Sequence, residues 1–188
     1  MGQPAPVPEA DSRHHPPRAH RKGGTNIVHI EGDIVINRAP EEVFDFVADE
    51  RNEPRYNPKM RLAEKISDGP IGLGTRFRAQ TVSMGRPVDM VIEVTGYQRP
   101  HRLGITTHMS SMDLHGGLPF DPAPDGTRMR WSWDFQPSGM LRMLSPLVAS
   151  IGRRQERTIW TGLKDHLEAP PTDGERAGST ASLGRENV

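Results

Sequence analysis

The chain has 188 residues, of which 24 are lysine or arginine and 24 are aspartate or glutamate, so its formal net charge is zero. This length fits one domain, and the charge balance gives no global field that would favour nucleic acid or an anionic membrane. The sequence has no cysteine, which excludes disulfides, thiolate catalysis and cysteine-ligated metal.

The two ends of the chain differ in composition from the middle. Residues 1–25 are rich in proline and basic residues, and residues 169–188 consist mainly of Pro, Gly, Ser, Thr and charged residues. Neither segment can bury enough apolar surface to offset the entropy of ordering it. We therefore predict a disordered basic tail over 1–25, one folded domain over 26–168 and a second disordered tail over 169–188.

Hydropathy gives no sign of a membrane protein. No apolar run approaches the ~18 residues that a membrane-spanning helix needs, and the N-terminus lacks the apolar segment of a secretory signal. We expect a cytoplasmic protein with no membrane span. Basic residues in the tail could contact nucleic acid or acidic lipid, but a solvated arm is the simpler interpretation and no nucleic-acid partner is expected.

The first predicted element is a strand over 27–37, in which alternate apolar residues share one face. A short helix is predicted over 39–49, because Pro40 fits the first helical position and glutamates follow it. Residues 49–58 contain Pro54, which predicts a broken second helix or a turn.

Six further strands are predicted between residues 60 and 136, where apolar and polar residues alternate between turn residues. The last of them, 127–136, has the clearest alternation. In it Met129, Trp131, Trp133 and Phe135 point one way, and charged or small polar residues point the other. One face of the sheet is therefore predicted to be dry and the other wet.

A long helical segment is predicted after Pro137, ending at Glu168. Its apolar stripe, which includes Leu144, Val148 and Ile151, is expected to face the sheet. Consecutive strands flanked by helices, without βαβ alternation, indicate an antiparallel α+β fold.

Particular stretches of sequence carry a family resemblance: 34–49, Asn57-Pro-Lys, Gly72-Leu-Gly-Thr-Arg-Phe, 127–135 and the terminal helix. Together with the order of the elements, they resemble the START-like (SRPBCC) helix-grip superfamily, and within it the bacterial polyketide cyclase/dehydrase and lipid-transport group. The resemblance implies a helix-grip fold, in which a curved seven-stranded antiparallel sheet wraps around a long C-terminal helix and two short helices follow the first strand.

The same resemblance implies an internal cavity for lipids, sterols, hormones or polyketides. Members of the group usually carry Trp-Asn-Pro after the first helix, where this chain has Tyr56-Asn-Pro. Tyr56 keeps an aromatic body with a polar tip, so we expect it at the mouth of the cavity. The motifs identify the fold well and the activity poorly.

The candidate ligand-binding residues line the space between the predicted sheet and the last helix. They are Tyr56, Met90, Ile92, Leu103, Ile105, Trp131, Trp133, Phe135, Leu144, Val148 and Ile151. A concave apolar site with a few polar groups is typical of a small-molecule pocket. The alternative is that these residues form an ordinary packed core.

Few residues suggest chemistry. His101, His108 and His115 do not converge, so no metal or cofactor is predicted. His108 with Asp113 would suit an acid–base pair, but solvent-facing residues on the wet face are the simpler interpretation. No catalytic residue is assigned, because the inner faces of the predicted strands carry no ionisable side chain.

Three functions remain open. We expect a non-catalytic binder or carrier of a hydrophobic small molecule, such as a lipid, a sterol-like compound or a polyketide, acting as a monomer or homodimer. A polyketide cyclase/dehydratase or aromatase is the alternative, and it requires an ionisable group buried at the cavity. The third possibility is a protein-interaction module, such as a toxin–antitoxin or stress component.

Overall fold

The computed structural model describes residues 27–83, 85–137 and 145–170, and side chains of the last helix from residue 149 onward. Apart from residues 169 and 170, the predicted tails lie outside these ranges. The described elements are β1 (Val28–Ile36), α1 (Pro40–Ala48), the 3₁₀ helix η1 (Glu50–Arg55), β2 (Met60–Lys65), β3 (Arg76–Ser83), β4 (Arg86–Gln98), β5 (Arg102–Met109), β6 (Met112–Ala123), β7 (Gly126–Pro137) and α2 (Ser145–Glu168). No described helix is both long and apolar enough to cross a membrane.

The seven strands form one antiparallel sheet in the order β1-β7-β6-β5-β4-β3-β2. This confirms the predicted fold class. Strands β1 and β2 form the two edges of the sheet. Strand β7 lies inside it, paired with β1 on one side and with β6 on the other.

Strict alternation along β7 separates the two faces of the sheet. Met129, Trp131, Trp133 and Phe135 are buried, and the residues between them are exposed. The buried face continues on β4 and β5 and forms one apolar core with α1 and α2. The predicted dry face and wet face are confirmed.

The glycine pair in β6 does not interrupt that strand. A Cβ at Gly116 would overlap the Ser132 carbonyl, and one at Gly117 would lie 2.8 Å from the Leu103 carbonyl oxygen. Glycine is therefore needed here because β6 runs unusually close to both neighbouring strands.

Helix α2 lies along β1 and meets Tyr56, the residue that follows η1. Its C-terminal end is fixed by Lys164, whose Nζ donates to the Val35 carbonyl at 2.8 Å, and by Glu168, which accepts from the Asn37 backbone N–H at 2.6 Å. A Cβ at Gly162 would overlap the Tyr56 carbonyl oxygen, so the helix backbone nearly touches the end of η1.

One part of the predicted helical stripe is wrong. Ile151 is 54% exposed, whereas Gly152 lies over Ile30 of β1. The inward stripe runs through Gly152, Glu156 and Ile159 at the 3.6-residue period, and Ile151 is rotated away from it. A pattern based only on apolar residues missed this phase, because two of these inward positions hold glycine and glutamate.

Candidate functional site

Two tryptophans and a glutamate meet between β7 and α2. Trp133 and Trp160 each donate their Nε1–H to the same Oε2 of Glu156, both at 2.9 Å. The ring of Trp131 packs against Trp160 with 5.9 Å between centroids. We call Trp131, Trp133, Glu156 and Trp160 the indole–carboxyl cluster.

Local sequence explains how these side chains come together. Trp131 and Trp133 are two residues apart on one strand and so share a face, while Glu156 and Trp160 are four apart on one helix and are surface neighbours. Glycine opposite each strand tryptophan leaves room for the ring. A Cβ at Gly32 would overlap the Trp131 indole, and one at Gly116 would crowd the Trp133 indole.

Among the described residues, the indole nitrogen of Trp131 has no hydrogen-bond partner. The residue is 5% exposed, and within the described ranges its Nε1 is the one buried side-chain donor or acceptor left unpaired. A buried polar group without a partner costs about 1–3 kcal/mol. Such an exception calls for an explanation, and an acceptor from outside the chain, such as a water or a ligand, is one.

Glu156 has an unusual acidity. Its pKa is raised from 4.5 to about 7, chiefly by burial and also by the nearby charge of Glu53, while the two indole hydrogen bonds oppose the rise. Both protonation states are therefore populated near neutral pH. A carboxyl tuned in this way can give or take a proton.

A pair of carboxyls in η1 lies near Glu156, since the charge of Glu53 acts on it. Burial and the neighbouring charges of Glu53 and Asp49 raise the pKa of Glu50 well above its usual value, and burial also raises the pKa of Glu53. The two side chains are hydrogen-bonded to each other, and Asn57 Nδ2 donates to Glu53 Oε1 at 2.7 Å. We call Glu50 and Glu53 the η1 carboxyl pair.

The acidic groups have no cationic partner in the part of the chain that the structure describes. No described lysine or arginine forms an ion pair with Glu50, Glu53 or Glu156. A buried carboxylate without a counter-charge is costly. This explains why protonation is favoured here.

Tyr56 connects the cluster to the surface. Its ring stacks on Trp160 with 6.4 Å between centroids, and burial, with the nearby charges of Glu53, Glu50 and Glu156, raises its pKa well above the usual value. It also lines an open depression of about 500 Å³ together with Pro58, Arg157, Thr158, Thr161, Gly162 and Asp165. This position agrees with the expected place of Tyr56 at the mouth of a cavity. Its role in ligand binding stays a prediction.

The predicted lining residues of the sheet share one buried core. The candidate ligand-binding residues on the strands are all buried, and so is Tyr56. They are Tyr56, Met90, Ile92, Leu103, Ile105, Trp131, Trp133 and Phe135. Ile151 is exposed, Leu144 lies outside the described residues, and the same holds for the side chain of Val148. Their part in ligand binding stays a prediction.

Sequence reasoning missed the polar half of this site. Glu156 stands where an apolar residue would continue the stripe from Gly152 to Ile159, and that interruption was the available signal. For Glu50 and Glu53 there was none, because two glutamates in a proline-containing segment are normally exposed.

The histidines of the outer sheet face do not form a site with this cluster. His108 Nδ1 and Asp113 Oδ1 are 3.0 Å apart, and both side chains are about half exposed. Among the described residues, no group of three or more potential ligands could hold a metal ion. Arg55 is also exposed, with its guanidinium 5.2 Å from the centre of the Phe46 ring.

The sequence from residue 28 to residue 168 matches the model of a known family, described as polyketide cyclase/dehydrase and lipid transport. The chain belongs to this polyketide cyclase/dehydrase and lipid transport family. The match spans the described sheet and both helices, and it confirms the resemblance drawn from the sequence. No curated protein matches the sequence significantly.

Solved structures agree with this family on the fold. A START superfamily protein from Mycobacterium smegmatis superposes with a TM-score of 0.66 at 13% identity, covering 74% of this chain and 97% of that one. The Zhui aromatase/cyclase from Streptomyces sp. R1128 gives 0.66 at 11% identity, covering 76% and 94%. A protein from Thermus thermophilus gives 0.62 at 21% identity, covering 74% and 94%. These likenesses show the helix-grip fold.

Proposed function

We propose that this protein binds a hydrophobic small molecule between α2 and the inner face of the sheet, with the polar end of the molecule at the indole–carboxyl cluster. The observation that carries the proposal is the unpaired Trp131 Nε1 in an interior whose other described polar side chains have partners. Membership in a cyclase and lipid-transport family supports the same ligand class.

The chemistry of the surrounding residues fits this ligand class. The inner faces of β4, β5 and β7 are apolar, so burying apolar ligand surface would contribute at most ~25 cal/mol per Å² before the costs of association. The few polar groups of the indole–carboxyl cluster would determine the orientation of the ligand.

Native mass spectrometry of freshly purified protein, followed by thermal melting against a panel of fatty acids, alcohols, sterols and aromatic polyketides, tests the proposal. We expect a bound mass or a raised melting temperature with at least one class. Trp131→Phe keeps the ring and removes the donor, so it should weaken that binding, whereas Leu73→Ala on the exposed surface should not. The absence of both a bound mass and a melting shift across the panel contradicts the proposal.

A second candidate is an enzyme of the cyclase/dehydratase kind, favoured by one observation. Glu156, with a pKa of about 7, sits among indoles at the predicted cavity. In a β-hydroxyketone, the carboxylate would take the proton on the carbon between the carbonyl and the hydroxyl-bearing carbon. The resulting acid would return it to the leaving hydroxyl, so that a C=C bond forms, the C–O bond breaks and water leaves.

Glu156→Gln separates the two functions. A Gln side chain keeps an acceptor for the indoles but cannot transfer the proton. Loss of dehydration of a β-hydroxyketone, with ligand binding retained, supports the enzyme. No turnover by the wild type, together with ligand binding, favours the carrier.

A further inference from the structure

We propose that the site selects lipophilic molecules whose polar end is a hydroxyl and discriminates against those that end in a carboxylate. This inference rests on the proposed function and narrows its ligand class. It follows from which hydrogen-bonding groups the cluster leaves open.

The first open group is a donor. Trp131 Nε1 is buried and unpaired, and its ring packs directly on Trp160, which itself hydrogen-bonds to Glu156. An indole N–H can only donate. The ligand atom that satisfies it must therefore be an acceptor, which an ammonium group is not.

The second open group is an acceptor. Trp133 and Trp160 both donate to Oε2 of Glu156, so neither of these two indoles occupies its Oε1. A hydroxyl donates one hydrogen bond and accepts two, so it is a head group that offers an acceptor to Trp131 and a donor to Glu156.

Charge disfavours an acidic head. Glu53 of the η1 carboxyl pair is close enough for its charge to act on Glu156, and no described lysine or arginine forms an ion pair with any of the three carboxyls. Whenever Glu156 is ionised, a ligand carboxylate beside it would add a second negative charge with no counter-charge among the described residues, which is the arrangement that electrostatic specificity penalises.

Matched probes test this selection. We would measure the affinities of 1-dodecanol, dodecylamine and dodecanoate, and of 2-naphthol against 2-naphthoate, near neutral pH. We expect the hydroxyl member of each set to bind at least about tenfold more tightly than the carboxylate. An alkyl series and a naphthyl series are used so that a poor fit of one apolar body does not hide a preference for the polar head group.

Two variants locate the selectivity. Glu156→Gln removes the charge, so binding of the carboxylate members should strengthen and the ratio should shrink. Trp131→Phe removes a donor that both acceptor heads can use, so it should weaken the hydroxyl and the carboxylate members, whereas binding of dodecylamine, whose ammonium cannot accept that bond, should change little. Glu64→Gln, on an exposed part of β2, is the matched control and should alter neither.

The outcomes distinguish this inference from the proposed function. If the carboxylates bind as tightly as the hydroxyl compounds, or dodecylamine binds best, the inference is wrong while the binding function stands. If neither these probes nor the wider lipophile panel bind, the proposed function itself is wrong.

Discussion

Gly32 lies directly opposite Trp131 in the β1–β7 ladder, and the Trp131 indole occupies the space that a side chain at residue 32 would fill. On the other side of β7, Gly116 lies opposite Trp133 in the same way. The two rings that face α2 are thus accommodated by glycines on the flanking strands.

Gly32→Ala should therefore destabilise the protein by roughly 1–3 kcal/mol, because the added methyl forces the Trp131 ring out of its position. Urea unfolding, monitored by tryptophan fluorescence, measures the change. Gly72→Ala is the control, since a Cβ there meets nothing within 4 Å. An equal effect of both substitutions would contradict the packing described.

The stability of the protein should depend on pH through Glu156. Its pKa is about 7 in the folded chain and about 4.5 when unfolded, so the folded state binds more protons between these values. This contribution to stability is fully present below the unfolded pKa and is lost as the pH rises through about 7. The raised pKa of Glu50 acts in the same direction.

Glu156→Gln should flatten this dependence, with the wild type losing roughly 1–3 kcal/mol more than the variant between about pH 5 and pH 8. Urea unfolding at a series of pH values measures the difference. The raised pKa of His29 contributes to both proteins and cancels in the comparison. Parallel pH profiles for the two proteins would show that Glu156 does not titrate in this range.

The indole donors should set the acidity of Glu156. Trp160→Phe keeps an aromatic ring but removes one of the two hydrogen bonds to Oε2, so the carboxylate loses stabilisation and its pKa should rise. Titration of carbon-13-labelled glutamate by NMR measures this shift. Trp131→Phe is the control, because it leaves both bonds to Glu156 in place, and a similar rise there would contradict the role of the bonds.

Alanine substitutions at two glycines of α2 should change the stability of the protein in opposite directions. Alanine is favoured over glycine in a helix by about 1 kcal/mol. At Gly152 the new methyl meets only the end of the flexible Ile30 side chain, so we expect little change or a gain in stability. At Gly162 it meets the backbone carbonyl of Tyr56, which cannot move aside cheaply, so we expect a loss. The midpoints of urea unfolding decide between these signs.

The amino-acid sequence by itself determined the order of the elements, the antiparallel sheet and the dry face of β7. These follow from the periods of apolar residues, and a period of two or of 3.6 is a property of neighbouring residues. The same local patterns placed Trp131 and Trp133 on the buried side.

Only the tertiary structure decided where the polar half of the site lies. Glu156 is drawn inward because the helix phase that seats Gly152 on Ile30 and Gly162 on Tyr56 leaves residue 156 facing the indoles, and the same phase turns Ile151 outward. Glu50 is buried in η1, which packs against β2 and α1. The helix phase depends on contacts between residues more than a hundred positions apart, Gly152 with Ile30 and Gly162 with Tyr56, which no local pattern contains.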